Sequence, residues 1–298
     1  MDDRGGQGVG WSRLFGWGLA VLALWFVFRW LRGVDPLVWQ QFQSLEVTSV
    51  LISFVLFQGW FVLRYLGWEF ISRRYGLDSQ RASNLRMWTL SELMRYIPGN
   101  VWSFAARYRG AKERGTGRRG AAVSLVVEAS NLVAGAALVA AVFWRPEWWL
   151  LWLLAAGVFV TIWPWLVRRL ASWRKWEFPK PLSYRDSVVL LGVYLAVWLL
   201  YGLAQAIIIL SIPGLSTPGL TFLLGINVTA WLIGYVSVIT PMGLGVREVA
   251  FVTLLKNTIA PGVGSMLAVL TRVWLVVCEL AFLGLVTIFT SRRPGSLE

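Results

Sequence analysis

Val188 to Ile212 runs for 25 residues without a charged side chain, and Trp148 to Val167 runs for 20. An α-helix needs about 20 apolar residues to cross the roughly 30 Å hydrocarbon layer of a bilayer, so both stretches are long enough to span one. Leu14 to Trp30, Val47 to Tyr65, Gly120 to Trp144 and Ser265 to Thr290 are similar, each broken by no more than two charges. With 57% hydrophobic residues and a mean hydropathy of +0.62, the chain reads as an all-α integral membrane protein. Leu14 to Trp30 ends at Arg29 and Arg32 with no small-residue cleavage pattern, and is therefore expected to be an uncleaved span.

Charge sets the expected orientation. The net charge of +13 lies almost wholly outside the apolar runs, so it reports loops at an anionic membrane surface and no nucleic-acid partner. Basic stretches from Arg73 to Arg86, Arg107 to Arg119 and Arg168 to Arg185 mark one face, which the positive-inside rule makes cytoplasmic. Arg292 and Arg293 put the C-terminus on that face, and the expected localisation is a bacterial cytoplasmic membrane with both termini inside. Twenty Trp residues, many near span ends, fit interfacial belts. Cys278 is the only cysteine and there is no histidine, which leaves no disulfide, no His/Cys metal cluster and no His-based acid–base relay. No metal or cofactor is expected.

Two Pro/Gly breaks interrupt this pattern. Arg95-Tyr-Ile-Pro-Gly-Asn-Val-Trp102 lies between two basic stretches of the same face, so Asn84 to Tyr108 is expected to enter and leave on one side as a re-entrant hairpin with Pro98, Gly99 and Asn100 at its tip. Thr240-Pro-Met-Gly-Leu-Gly-Val-Arg-Glu248 is its counterpart, with arms Gly219 to Ile239 and Val246 to Ile259. Glu128 follows Pro98 by 30 positions and Arg272 follows Pro241 by 31, so the breaks are offset by 143 and the charges by 144. The expected architecture is one transmembrane domain over residues 1–298, an inverted repeat of 14–145 and 146–290, with about six full transmembrane helices and two re-entrant, broken helical hairpins. Ordinary spans in place of the second hairpin's arms give the same terminal topology.

Broken helices at membrane depth must line protein or water, because unpaired backbone groups cost several kcal/mol each in lipid. Their restarted N-termini aim positive dipole ends into that space. Arg247 sits in the first turn of such a helix, where the dipole favours an acid, so an anion to be held is the simplest explanation. The candidate headgroup ligands are Pro98, Gly99, Asn100, Arg107, Pro241, Gly243, Gly245, Arg247 and Arg272, with Glu128, Glu248 and Glu279 as charge-exchange partners. Glu128 paired with Arg272 or Arg247 could equally be a structural ion pair. Arg95, Arg107 and Arg109 also read as basic loop residues, Glu279 as an interfacial acid meeting a cytoplasmic Arg, and Ala129, Gly135 and Ala136 as close-packing positions.

Tyr96 to Trp102 with Arg107, Ala122 to Glu128, Pro241 to Glu248, and Ala268 to Arg272 together resemble the flippase-like family named for the lysylphosphatidylglycerol synthase transmembrane region, which includes the membrane domain of the multiple peptide resistance factor. The resemblance implies movement of an aminoacylated phosphatidylglycerol or a polyprenyl-phosphate-linked sugar between leaflets. The chain ends at Glu298 with no room for the soluble transferase of that factor, and its Tyr-Ile-Pro-Gly-Asn variant resembles stand-alone members. The expectation is a lipid transporter, not an enzyme, that takes an anionic phosphate-bearing lipid and has a second copy or envelope-biosynthesis enzymes as partners. Two alternatives stand beside it: a membrane glycosyltransferase relying on Asp35, Glu46 or Glu147, and a non-transporting scaffold of an envelope complex.

Overall fold

The computed structural model describes residues 45–96, 101–215, 218–237 and 245–291. Among them every regular element is helical. In chain order these are α1 (Val47–Arg74), α2 (Arg81–Leu93) with a 3-10 turn at Met94–Tyr96, α3 (Trp102–Glu113), α4 (Arg118–Trp144), α5 (Trp149–Arg174), α6 (Tyr184–Leu210), α7 (Leu220–Val236), α8 (Val246–Leu255) and α9 (Pro261–Ser291). Five of them, α1, α4, α5, α6 and α9, are long and apolar enough to cross a membrane. The chain is an all-α membrane protein. The first expected span, Leu14 to Trp30, lies outside the described residues, as do Arg292 and Arg293.

Local chemistry sets several of the boundaries. Ser183 and Asp186 form a capping box at the start of α6, satisfying backbone donors that a helix leaves open. α1 continues nine residues past the expected end at Tyr65, because Arg64 and Glu69 are buried within the protein and do not mark a water boundary. Gly76 follows at φ 104°, a conformation open to glycine, and turns the chain into α2.

The central helix is α6, which packs on α1, α4, α5, α7 and α9. Its Trp198 is fully buried, donates its ring N–H to the Leu132 carbonyl at 2.7 Å, and stands against the backbone of α4 where Gly135 leaves room. Tyr201 one turn on meets Trp60 and Phe57 of α1, so an aromatic core joins the middle of three spans. Outermost is α5, which buries little beyond Pro164 and Val167.

The four short helices form two pairs. α2 and α3 run antiparallel: Arg114 Nε donates to Ser83 Oγ at 3.2 Å, Gly110 lies under Met87, and Arg107 meets Ser91. The Ser83 end of this pair lies nearest the start of α4, whose Gly120 touches the Tyr75 carbonyl. α7 starts at the other end of α4, where Phe222 packs on Trp144, Trp144 donates to Thr229 Oγ1 at 2.7 Å and Gly225 lies under Phe143. Its far end returns through α8, with Gly234 against Arg247. Adding 144 to the ranges of α1, α2, α3 and α4 gives 191–218, 225–237, 246–257 and 262–288, which overlap α6, α7, α8 and α9 in turn.

Close backbone approach at Gly120 generates a prediction. A Cβ there would collide with the Tyr75 carbonyl, whereas one at Gly157 of α5 meets nothing within 4 Å. Gly120→Ala is expected to destabilise the protein by about 1–3 kcal/mol in thermal unfolding in detergent, and Gly157→Ala to leave the transition unchanged or slightly raised.

Candidate functional site

Two clusters of charge lie inside the bundle. Glu92, at the end of α2 and 3% exposed, is the hub of the first. Its carboxylate accepts from Arg64 of α1 at 2.5 Å, from Arg95 at 2.7 Å and from Arg107 of α3. Arg107 also donates to both oxygens of Glu128 on α4, at 2.5 and 2.6 Å, and its Nε reaches Ser91 Oγ at 3.2 Å. Arg95 continues the chain to Glu279 of α9 at 2.6 Å, and the Tyr96 hydroxyl donates to the same oxygen at 2.6 Å. The indoles of Trp60 and Trp88 lie 4.8 and 5.4 Å from the Arg64 guanidinium, and Trp88 lies 5.8 Å from that of Arg107. Three arginines face three carboxylates, so the cluster is neutral.

These groups are deep. Arg64, Glu128, Arg272 and Glu279 each have at least about 15 Å of helix between them and either helix end, at 1.5 Å per residue. An unpaired charge at such depth costs about 2.5–3.5 kcal/mol or more, and guanidinium–carboxylate pairs remove most of that cost. The α2–α3 pair is therefore held with its Glu92–Arg107 end against the middle of α4 and α9.

The second cluster is built at the N-terminus of α8. Gly245, at φ 84°, turns the chain into the helix, and its N–H donates to Glu248 Oε2 at 2.7 Å. Glu248 Oε1 accepts from Arg272 of α9 at 3.4 Å. Arg247, 5% exposed, lays its guanidinium 5.8 Å from the centre of the Tyr201 ring, and among the described residues no carboxylate bonds it. Arg247 and Arg272 are near enough to repel each other, and Arg272 also lies within electrostatic reach of Tyr96. Among the described residues two arginines stand against one carboxylate in this cluster, one positive charge in excess, beside a helix N-terminus that adds to it.

Pro98, Gly99, Asn100, Pro241 and Gly243 lie outside the described residues. Glu248, Arg247, Gly245 and Arg272 come together. Three expectations are corrected. Glu128 pairs with Arg107, not with Arg272 or Arg247, because α3 lies along α4 and points Arg107 at it. Arg95 and Arg107 are no loop residues: they are bonded inside the protein, while Arg109 is exposed beside Glu113. Glu279 is 2% exposed and not interfacial, because α9 starts at Pro261 and places position 279 near its middle. Arg107, a candidate phosphate ligand, has its donors directed to Glu92, Glu128 and Ser91.

Sequence reasoning passed over Glu92, Arg64 and Tyr96 as site residues. A lone acid between Trp88 and Arg95, in a stretch otherwise rich in arginine, was the available signal for the hub. Gly135 packs against α6 and Ala136 is fully buried, as close packing leads one to expect, whereas Ala129 stands at an open apolar recess between α3 and α4. Among the described residues no three His, Cys, Asp or Glu gather to hold a metal.

Removing the hub tests the neutral cluster. Glu92→Gln leaves three arginines, two of them buried, against two acids and is expected to cost about 3–5 kcal/mol in detergent unfolding, whereas Arg109→Gln on the exposed Arg109–Glu113 pair is expected to leave the transition unmoved. The residues themselves carry the interpretation of this site, since no family model matches the chain and no curated protein matches it.

Proposed function

We propose that the protein is a lipid transporter of flippase type, moving an anionic, phosphate-bearing lipid between the leaflets of a bacterial cytoplasmic membrane. One observation carries it: Arg247 is buried near Arg272, and among the described residues no carboxylate bonds it, so a positive charge stands in the interior. Burying an uncompensated arginine is costly unless an anion joins it. A phosphate diester supplies the charge, and it suits the forked donors of two guanidiniums. The backbone N–H groups at the N-terminus of α8 favour the same ligand.

The proposed architecture has six spans, with Leu14 to Trp30 as the sixth, in an inverted repeat with both termini cytoplasmic. The α2–α3 and α7–α8 pairs are its two re-entrant hairpins. Support comes from their geometry: the pairs approach α4 from its opposite ends, and their inner ends meet charged residues near the middle of α4 and α9. Matching element ranges at a shift of 144 residues support the repeat.

In the proposed cycle no bond is made or broken. Arg247 and Arg272 take the headgroup phosphate, and Glu248 gives up its 3.4 Å contact with Arg272 while remaining the cap of Gly245. The weak geometry of that pair makes it the easiest contact to exchange. Glu128 and Glu279 hold the first hairpin through Arg107, Arg95 and Tyr96, so a shift of that hairpin exchanges their partners. A ligand that binds one arrangement better than the other drives the equilibrium toward it.

The test is leaflet exchange of fluorescent phosphatidylglycerol in reconstituted vesicles, read by dithionite quenching. Arg247→Ala and Arg272→Ala are each expected to slow exchange by about tenfold or more, a rise of roughly 1.4 kcal/mol or more in the barrier. Arg247→Lys should fall between, since a point charge replaces a fork. Exchange at the wild-type rate in Arg247→Ala would remove the proposed role.

A further inference from the structure

The first charge cluster divides between the α2–α3 pair and the long helices it lies on. Arg107 of α3 bonds Glu92 and Ser91 of α2, so these three groups belong to the pair and move with it. Arg64 of α1 and Glu128 of α4 belong to the long helices. Arg64 holds the pair through Glu92, and Glu128 holds it through Arg107. Arg64 and Glu128 also lie within electrostatic reach of each other.

Beside them stands Tyr194 of α6, with a hydroxyl that this arrangement does not use. The residue is 1% exposed, and among the described residues its hydroxyl makes no hydrogen bond. α4 and α6 both start where α1 ends, through Gly120 against the Tyr75 carbonyl and Asp186 against Arg74, so they run parallel. The backbone of Tyr194 stands against Gly135, seven residues after Glu128, and a helical side chain leans back toward the start of its own helix. From Gly135 that is the direction of Glu128. The hydroxyl ends against Gly67 of α1, where a Cβ would lie 3.1 Å from it, within electrostatic reach of Glu128, Arg64, Arg107 and Glu92.

A buried hydroxyl without a partner is costly, and a phenylalanine would fill the same space without that cost. Both oxygens of Glu128 accept from Arg107, which takes up the nearby carboxylate. The hydroxyl therefore finds its use in an arrangement where Arg107 has left Glu128.

We propose that Tyr194 is the second partner of Glu128: when the α2–α3 pair moves away with Arg107, the Tyr194 hydroxyl donates to Glu128 while Arg64 turns from Glu92 to the same carboxylate. The inference rests on the transport reading, in which a shift of this pair exchanges the partners of Glu128. A hydroxyl donating to a carboxylate makes a short, charge-assisted bond, and with Arg64 it keeps Glu128 ionised after Arg107 leaves. Tyr194 touches no headgroup; it is a positioning residue that acts through Glu128 and gives the pair a second place to rest.

A double-mutant cycle on the full chain in detergent tests this without transport. Tyr194→Phe is expected to leave the unfolding temperature unchanged or raised in the wild-type background, and to lower it by several degrees in Arg107→Gln, where Glu128 has turned to Tyr194. A tyrosine that only fills space gives the same shift in both backgrounds, and a hydroxyl bonded in the resting arrangement lowers the temperature in the wild-type background; either result overturns the proposal. If Arg107→Gln fails to fold, Arg107→Lys takes its place, keeping a cation beside Glu92 without the fork. Exchange in vesicles needs neither variant: Tyr194→Phe should slow phosphatidylglycerol exchange several-fold with its stability undiminished. Wild-type exchange in Tyr194→Phe while Arg247→Ala is slow would overturn the role of Tyr194 and leave transport standing. Wild-type exchange in Arg247→Ala would remove the transport reading, and the cycle of unfolding temperatures would then decide on Tyr194 alone.

Discussion

A carboxylate buried at the depth of a membrane core keeps its charge only where cations stand within bonding distance, and Glu92 is surrounded by three. The three arginines come from α1, from the turn after α2 and from α3, and two of them reach on to α4 and α9. One neutral network thus ties the α2–α3 pair to three long helices. Apolar burial alone would leave that pair free to slide, since hydrocarbon competes equally for an apolar face. Directional charge-assisted bonds fix its depth and rotation. Everything that follows about the interior depends on this pair standing where the network holds it.

With the first cluster neutral, the second stands out by its charge among the described residues. It has two arginines and one glutamate, and the glutamate is shared with the cap of Gly245. The aromatic core lies between the halves: Tyr201 stands under Arg247, on Trp60, which in turn stands under Arg64. A cation over an aromatic face is partly compensated but keeps its charge. Among the described residues the interior is therefore balanced in charge on one side and holds one more arginine than carboxylate on the other, the asymmetry on which the proposed headgroup site rests.

Helical architecture was legible because length and apolarity at the scale of a bilayer leave few alternatives for Val188 to Ile212 or Trp148 to Val167. The Gly245-Val-Arg-Glu248 turn was legible too, since a cation in a helix's first turn contradicts the dipole and needs a reason. Partner choice was not. Glu128 sits one half-repeat from Arg272, which suggested pairing across the halves, but which acid meets which arginine depends on helix rotation, and sequence spacing does not specify it. Arg95 and Arg107 share a stretch with exposed Arg109 and half-buried Arg114, and composition cannot tell the members bonded inside the protein from the others. Glu92 escaped notice for the same reason: inside a basic stretch an acid looks like local neutralisation, and only the fold gathers three guanidiniums on it.

The central proposal is that Arg247, to which no carboxylate among the described residues bonds, takes a lipid phosphate together with Arg272. A cryo-electron microscopy map of the protein in nanodiscs of phosphatidylglycerol addresses it most directly. The account predicts phosphate density within hydrogen-bond distance of both guanidiniums, with the Arg272–Glu248 contact lengthened and the Glu92 network intact. A map in which a carboxylate of the chain bonds Arg247, with lipid phosphates confined to the membrane surfaces, would contradict it.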